Sequence, residues 1–457
     1  MSESADLAVD GGVIVSARGR QQASLYVSNG RIVHIGEAGL ASRHRVDATG
    51  LFALPGFVDS HVHLMEPASA DREDWAHGTR AAAASGVTTV IEHTHAQPVR
   101  TEADLTTKLH YLRRRALVDF ALAAHAWPNE LAGLGDLWNG GVAFFKVFTC
   151  TTHGIPGFDA GALLKTFGHL AKLQAIALVH CEDQASTALA AARLQAEGRE
   201  DGGVIPEWRS REAEILAVGE VLAASELTSA RVVIAHASHR AVVDLVERAR
   251  ATGIAVVVES CPQYFLLREN EVLTLGGLRK FTPPARARSD ADFDDMWTAL
   301  GPTRQIDLVS SDHAPATRLQ KEAGRIWDVH FGLPGLDTTS SFLIDAALRG
   351  RLSLERVVEL YATSPARTYG LRSKGELRVG GDADFALVNV ATERTLTDES
   401  VYSKAGWTPY SGMAVRGRVV STYVRGVPVF VDGDFPAEIG HGKFVAGMGR
   451  SSSKSQA

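Results

Sequence analysis

The chain has 457 residues, 45% hydrophobic and 22% charged, enough apolar material for a large buried core. Lys+Arg 47 against Asp+Glu 53 leaves a formal charge of −6, which argues against a broad nucleic-acid footprint. The 43 glycines and 16 prolines are scattered, excluding a collagen repeat or low-complexity linker, and three cysteines (Cys150, Cys181, Cys261) without CxxC spacing exclude a disulfide framework.

At ~150 residues per domain the length corresponds to about three units, or to two unequal parts if one is a barrel. The acidic, polar start MSESADLAVD does not read as a secretory leader, and no run reaches the ~18 apolar residues that span a bilayer. The expectation is a soluble, cytoplasmic protein with no membrane and no nucleic-acid partner.

The first fifty residues read as a β-meander, with short strands at 25–27 and 32–35 around Asn29-Gly30, a strong hairpin signal. The pattern then alternates. Apolar runs at 51–58, 88–92, 118–124, 143–148, 176–179, 232–235, 255–258 and 306–309 are separated by stretches with helical spacing, as at 75–84, 212–224 and 240–251. Eight strands with intervening helices predict an α/β fold, a (β/α)8 TIM-like barrel. Strand-rich patterning returns at 384–390, 418–424 and 427–431, with a turn at Asp432-Gly433. Both chain ends are therefore expected to build one small β-sandwich. The expected division is 1–54 and 373–446 for the two parts of the sandwich, 55–372 for the barrel and 447–457 for a disordered tail.

Polar residues collect where the apolar runs end. Asp59-Ser60-His61-Val62-His63 follows the first run, Lys146 lies in the fourth, His180 and His236 end the fifth and sixth, and Asp312-His313 follows the eighth. In a barrel these positions converge on the C-terminal face, where active sites sit. His61 and His63 are two apart, so on a strand both rings point the same way. Neutral imidazoles held like this suit a zinc-class ion, and an aspartate from another strand adds a hard oxygen ligand. Taken singly, an HxH pair is more often two surface histidines, and a lone His180 or His236 a hydrogen-bonded core residue. Lys146, within Val142-Ala-Phe-Phe-Lys-Val-Phe148, costs several kcal/mol as a buried ammonium unless it pairs with a buried carboxylate. Five such features at the ends of five strands favour a metal site.

These segments resemble a known family. Pro55-Gly-Phe-Val-Asp-Ser-His61-Val-His63, Phe145-Lys146-Val-Phe148, Val179-His180-Cys-Glu182, Ile234-Ala-His236-Ala-Ser238, Glu259-Ser-Cys-Pro262 and Ser311-Asp312-His-Ala-Pro315 are similar to the amidohydrolase superfamily, in the branch that holds dihydroorotase, allantoinase and hydantoinase/dihydropyrimidinase. Gly375-Glu-Leu-Arg-Val-Gly-Gly381-Asp-Ala-Asp384 resembles the segment by which that family returns to its β domain. The resemblance implies two divalent metal ions, with zinc expected and manganese or cobalt compatible with the ligand set. His61, His63 and Asp312 would hold one ion and His180 and His236 the other. Lys146 would carry a CO2-derived carbamate bridging both. The implied chemistry is attack on a ring carbonyl by a metal-bridging hydroxide, with Asp312 as the catalytic residue that passes the proton to the departing ring nitrogen. A homo-oligomer, tetramer or dimer, is implied as well.

Departures from the family bear on substrate. Dihydroorotases carry arginine two residues after the HxH pair to grip a carboxylate; here it is Met65, which offers no bidentate contact. Hydantoinases place tyrosine five residues after the bridging lysine; here it is Thr151. Allantoinase-like sequences carry asparagine at the Met65 position before Glu-Pro, and only Glu66-Pro67 is kept. Gln263 replaces the histidine usual after Cys-Pro. A second HxH pair, His93 and His95, follows the second run. Both are read as outside the primary ligand set, with His95 facing the pocket.

Met65, His95, Thr151 and Gln263 are thus the expected substrate-side residues, while His125 and His153 are read as loop histidines. The cysteines are read as small buried residues, Arg113-Arg114-Arg115 as a solvated helix face, and Trp407, Tyr410 and Met413 as a β-domain loop packed on the barrel. The expected function is a metal-dependent hydrolase opening the C–N bond of a small cyclic amide, imide or ureide, allantoinase-like. Hydantoinase/dihydropyrimidinase-like or dihydroorotase-like ring opening is the alternative. A non-catalytic oligomeric relative is the reading from another class, and six filled ligand positions speak against it.

Overall fold

In the computed structural model, which describes residues 4–449, eight parallel strands run through the middle of the chain. They are β1 (Phe57–Val62), β2 (Val87–Glu92), β3 (Asp119–Leu122, continued by Ala124–His125), β4 (Phe145–Phe148), β5 (Ile176–His180), β6 (Arg231–Ile234), β7 (Val256–Ser260) and β8 (Leu308–Val309). Each pairs with the next. The circuit closes where Val62 bridges His313 in parallel and the His63 N–H donates to the His313 carbonyl at 2.7 Å. This is the expected (β/α)8 barrel. Most of its strands are buried on both faces, so they read as continuous apolar runs rather than as alternation. Helices cover them: Trp75–Ala84 starts where Asp74 accepts from His77 N–H, and it buries Ala81, Ala82 and Ala83.

Strands from both chain ends share one sheet, in the order Gly19–Gln22, Val13–Ser16, Phe52–Pro55, Phe385–Thr395, Ala414–Val424, Val427–Val431. A four-stranded sheet, Arg31–Gly36, Ser24–Ser28, Ala5–Asp10 and Ser42–Asp47, packs against it through Leu7, Val9, Leu25, Val27, Phe385 and Leu387. The Asn29-Gly30 turn is a real hairpin with both residues left-handed, at φ 52° and 74°.

The run 51–58 is two strands, not one. Phe52–Pro55 belongs to the shared sheet and Phe57–Val62 to the barrel, with the chain changing sheets at Gly56. A Cβ at Gly56 would lie 2.1 Å from Thr88 Oγ1, so only glycine lets the strand pass there. Arg113, Arg114 and Arg115 follow the helix Glu102–Leu112 rather than lying on it, and Arg115 pairs with Glu66 at 2.9 Å. Trp407 donates to the Ala316 carbonyl at 2.8 Å and Tyr410 packs edge-on to Phe342, so that loop does sit on the barrel. Gly447 donates to the Gly141 carbonyl at 2.9 Å, so the chain from 447 to 449 lies against the barrel; the rest of the expected tail, 450–457, lies outside the described residues. No helix among the described residues is long and apolar enough to cross a membrane.

A buried ion cluster fastens barrel to sandwich. Lys374 Nζ lies 2.5 Å from Asp119 at the start of β3, 2.6 Å from Asp384 and 2.9 Å from Asp382. Burial alone would lower the ammonium's pKa, but three carboxylates hold it above its ordinary value. We predict that Lys374→Met, which leaves Asp384 without a cation and takes one of two from Asp119 and from Asp382, destabilises the fold by about 3–5 kcal/mol. Denaturant unfolding measures this, and a variant within 1 kcal/mol of the parent (about a fivefold change in the equilibrium constant) would contradict it.

Candidate metal centre

Five of the eight strands, β1, β4, β5, β6 and β8, bring side chains to the C-terminal mouth. Asp312 Oδ1 lies 3.2 Å from His61 Nε2 and 3.6 Å from His63 Nε2. Lys146 Nζ lies 3.3 Å from the same His61 nitrogen. Across the mouth, His180 Nδ1 and His236 Nε2 are 3.0 Å apart. All six residues line one cavity. The two rings are within hydrogen-bond distance, and nitrogens at this spacing suit an ion held between them in place of that bond.

Carboxylates behind the rings hold them in place. Glu259 Oε1 meets His61 Nδ1 at 2.7 Å, leaving Nε2 to face the cavity. Glu182 Oε2 meets His180 Nε2 at 2.9 Å and is itself bound by Arg209 at 3.0 Å and Thr282 at 2.7 Å. Burial would raise the Glu182 carboxyl, but the Arg209 charge and the bond to His180 bring it down to about 2. Asp59 accepts from Tyr361 O–H at 2.7 Å and from Ser311 N–H at 3.1 Å, tying the end of β1 to the end of β8.

Burial, and then the charge of Lys146 or of neighbouring imidazoles, holds His61, His63 and His236 well below the ordinary imidazole value. They are therefore neutral and carry free lone pairs. Burial pushes Asp312 up to about 7 against the charge of Lys146 and His180. His236 and Asp312 sit at left-handed φ of 40° and 49°. Such backbone costs on the order of 1–3 kcal/mol per residue and concentrates at functional sites.

Lys146 is the odd member. It is buried, and no carboxylate among the described residues lies within 4.0 Å of its Nζ. The buried lysines elsewhere are provided for: Lys108 meets Glu92 at 2.5 Å, Lys374 has three aspartates, and Lys321 donates to the Lys280, His330 and Gly332 carbonyls. Burial brings Lys146 down to about 8, opposed by the charge of Glu259 and Asp312.

On the substrate side the structure redraws the set. His95 lines the cavity, as expected. Thr151 is exposed, with its N–H donating to Gln184 Oε1 at 2.5 Å, and does not line it. Met65 is buried beneath the mouth, where its sulfur accepts from Thr94 Oγ1 at 3.6 Å, and Gln263 is buried in the short helix Gln263–Leu266. His153, read as a loop residue, does line the cavity and packs on His95 with ring centroids 3.9 Å apart. Phe148, Thr282, Ala314, Phe331 and Gly332 complete the wall; apart from Phe148 and Ala314, which stand in the quoted motifs, no local pattern marks them. His93 stands against both strand-one histidines, its ring centroid 4.5 Å from each. Burial pushes all three thiols up, Cys150 to about 12, so none is a thiolate nucleophile.

A barrel with histidines, a lysine and an aspartate gathered at its C-terminal mouth defines the metal-dependent hydrolase class of (β/α)8 proteins. The Amidohydrolase family model matches residues 52–429, and the chain belongs to that family. It is 34% identical to the allantoinase of Rubrobacter xylanophilus over 437 residues, 94% of this chain and 95% of that protein. It is 32% identical to the dihydroorotase of Methanothermobacter thermautotrophicus, covering 92% of this chain and 93% of that one. The L-hydantoinase (dihydropyrimidinase) structure from Arthrobacter aurescens superposes with a TM-score of 0.92 at 28% identity, covering 97% of this chain and 100% of that one. The buried histidine-rich clusters fit the divalent metals of such a family.

Glu259→Gln keeps the shape but weakens the hold on His61. We expect metal affinity to fall about 10–100-fold, as for other outer partners of metal-binding histidines. Competition with a chromophoric chelator reads this out, and unchanged affinity would remove Glu259 from the centre.

Proposed function

We propose that the protein is a metal-dependent hydrolase that opens the C–N bond of a small cyclic amide, imide or ureide, and that its substrate is allantoin-like. The observation that carries this reading is Lys146, buried without a carboxylate partner and 3.3 Å from His61 at the mouth of the barrel. Once it has lost its proton, the amine would add to CO2 and release a second proton, and the resulting carbamate anion would supply oxygen ligands for divalent ions. His61, His63 and Asp312 would hold one divalent ion, His180 and His236 the other, and zinc fits the imidazole-rich set. Bound there, the ions would polarise a ring carbonyl and lower the pKa of the attacking water toward ~7.

The remaining steps belong to the chain. Asp312 faces the cavity beside both ligand histidines and takes the proton of the attacking water. It then delivers that proton to the ring nitrogen, without which an amide nitrogen leaves poorly. His95 and His153 supply neutral polar edges to the ring substituents, and Phe148 and Phe331 pack against its face. Among the described residues no arginine lines the cavity, which disfavours a carboxylate substrate such as dihydroorotate. The likeness to the L-hydantoinase structure supports hydantoin or dihydropyrimidine opening as the second reading. A homo-oligomer, tetramer or dimer, accords with the family resemblance and is checked by light scattering; a cytoplasmic location accords with the acidic, polar first residues.

A panel of allantoin, hydantoins, dihydropyrimidines, dihydroorotate and cyclic imides, assayed with zinc and bicarbonate, tests the substrate. Allantoin should be turned over fastest. Lys146→Ala and Asp312→Ala should each abolish turnover, and near-normal activity of either variant would overturn the mechanism. The amine reacts with CO2 only when neutral, and burial brings it to about 8 in metal-free protein. Reactivation of stripped protein at fixed dissolved CO2 should therefore accelerate with rising pH and level off above about 8. A pH-independent rate would contradict this.

A further inference from the structure

His93 has no role in the proposed reaction, yet its setting is that of a ligand. It follows β2, whose last residue, Glu92, is turned outward to Lys108 at 2.5 Å. Side chains alternate along a strand, so His93 faces the barrel axis. Its N–H donates to the Val62 carbonyl at 3.2 Å, which sets the residue level with the gap between His61 and His63. The His93 ring centroid is 4.5 Å from that of His61 and 4.5 Å from that of His63, nearer than those two are to each other at 5.4 Å. One nitrogen from each of the three rings lies within 4.8 Å of the other two.

The ring is buried, and neither nitrogen has a hydrogen-bond partner. His125 is equally without partners, so what sets His93 apart is its place against His61 and His63. Phe144 packs edge-on to the His93 ring with centroids 5.2 Å apart.

We propose that His93 is a third imidazole ligand of the ion that His61 and His63 hold, so that the second barrel strand takes part in the metal centre. The inference rests on the proposed two-ion centre and deepens it: one ion would be bound by three imidazoles and Asp312, the other by two imidazoles. The two ions would then differ in affinity, with the three-imidazole ion the last to leave on chelation.

Cobalt-substituted protein tests this without relying on activity. In the wild-type holoprotein, paramagnetically shifted, solvent-exchangeable imidazole N–H resonances should number five; four would overturn the proposal. In His93→Ala the ion held by His61 and His63 should bind at least about 10-fold more weakly, since losing a ligand costs no less than losing an outer partner. The visible cobalt absorption should change with it. His125→Ala removes an equally buried, unpartnered histidine 6.2 Å from His93 and should leave both readouts unchanged, separating ligation from a general loss of packing. His63→Ala marks the underlying reading. If it loses an ion while His93→Ala keeps both at parental affinity, only this inference fails. If neither variant changes metal content, the two-ion centre fails as well.

Discussion

Burying several imidazoles and a lysine in one small space is the constraint from which the rest of this structure follows. Each ring has been taken out of water, and none can take a proton cheaply beside its neighbours. What remains is a set of neutral bases whose lone pairs converge on a cavity. A packed hydrophobic core would not tolerate that unless something positive stood among them. The carboxylates follow the same logic. Glu259 and Glu182 stand behind the rings and aim them, while Asp312 stands with them at the cavity.

Convergence of this kind demands exact strand register, because a slip of one residue turns His61 and His63 away from the axis together. Asp59 guards that register. Two residues ahead of His61, it is buried and bound to Tyr361 and Ser311, so the first and last strands are clamped beside the site. At the other end of the barrel, Gly56 lets the chain leave the sandwich and enter β1, while Lys374 binds Asp119 of β3 to Asp382 and Asp384 ahead of the returning strand. The sandwich thus acts on the mouth indirectly, by holding the strand starts.

This division explains what could be read from the chain alone. His61, His63, Lys146, His180, His236 and Asp312 are visible because a polar residue that ends or interrupts an apolar strand contradicts its surroundings, and six contradictions in order make a pattern. The strand at 51–58 misled for the converse reason: two strands of different sheets are joined without a turn, and the one residue that marks the change, Gly56, is informative only once Thr88 is seen beside it. Thr151 misled because spacing from Lys146 assumes a loop path, whereas here the loop bends so that His153, two residues on, reaches the cavity instead. His93 looked redundant beside a better HxH pair. Its nearness to that pair depends on the β1–β2 register, which no local pattern reveals.

The cavity wall shows how loop residues without a motif can be held as firmly as strand residues. Phe331 and Gly332 lie in a long excursion after β8, where mobility would be the default. Two lysines prevent it. Lys280 donates to the Ile326 and Trp327 carbonyls at 2.6 and 3.1 Å, and Lys321 donates to the Lys280, His330 and Gly332 carbonyls at 2.7, 2.8 and 2.9 Å. Backbone carbonyls that accept from a buried lysine amine cannot move without stranding its N–H groups away from water. Gly332 closes the contact, because a Cβ there would lie 2.2 Å from the Ala314 carbonyl oxygen, two residues from Asp312. The aromatic side of the pocket is therefore fastened to the segment that carries Asp312. On the proposed reading, a ring that fits against Phe331 would be presented to Asp312 by the same piece of chain, and selection among small rings would rest on shape and neutral hydrogen bonds rather than on a charged clamp.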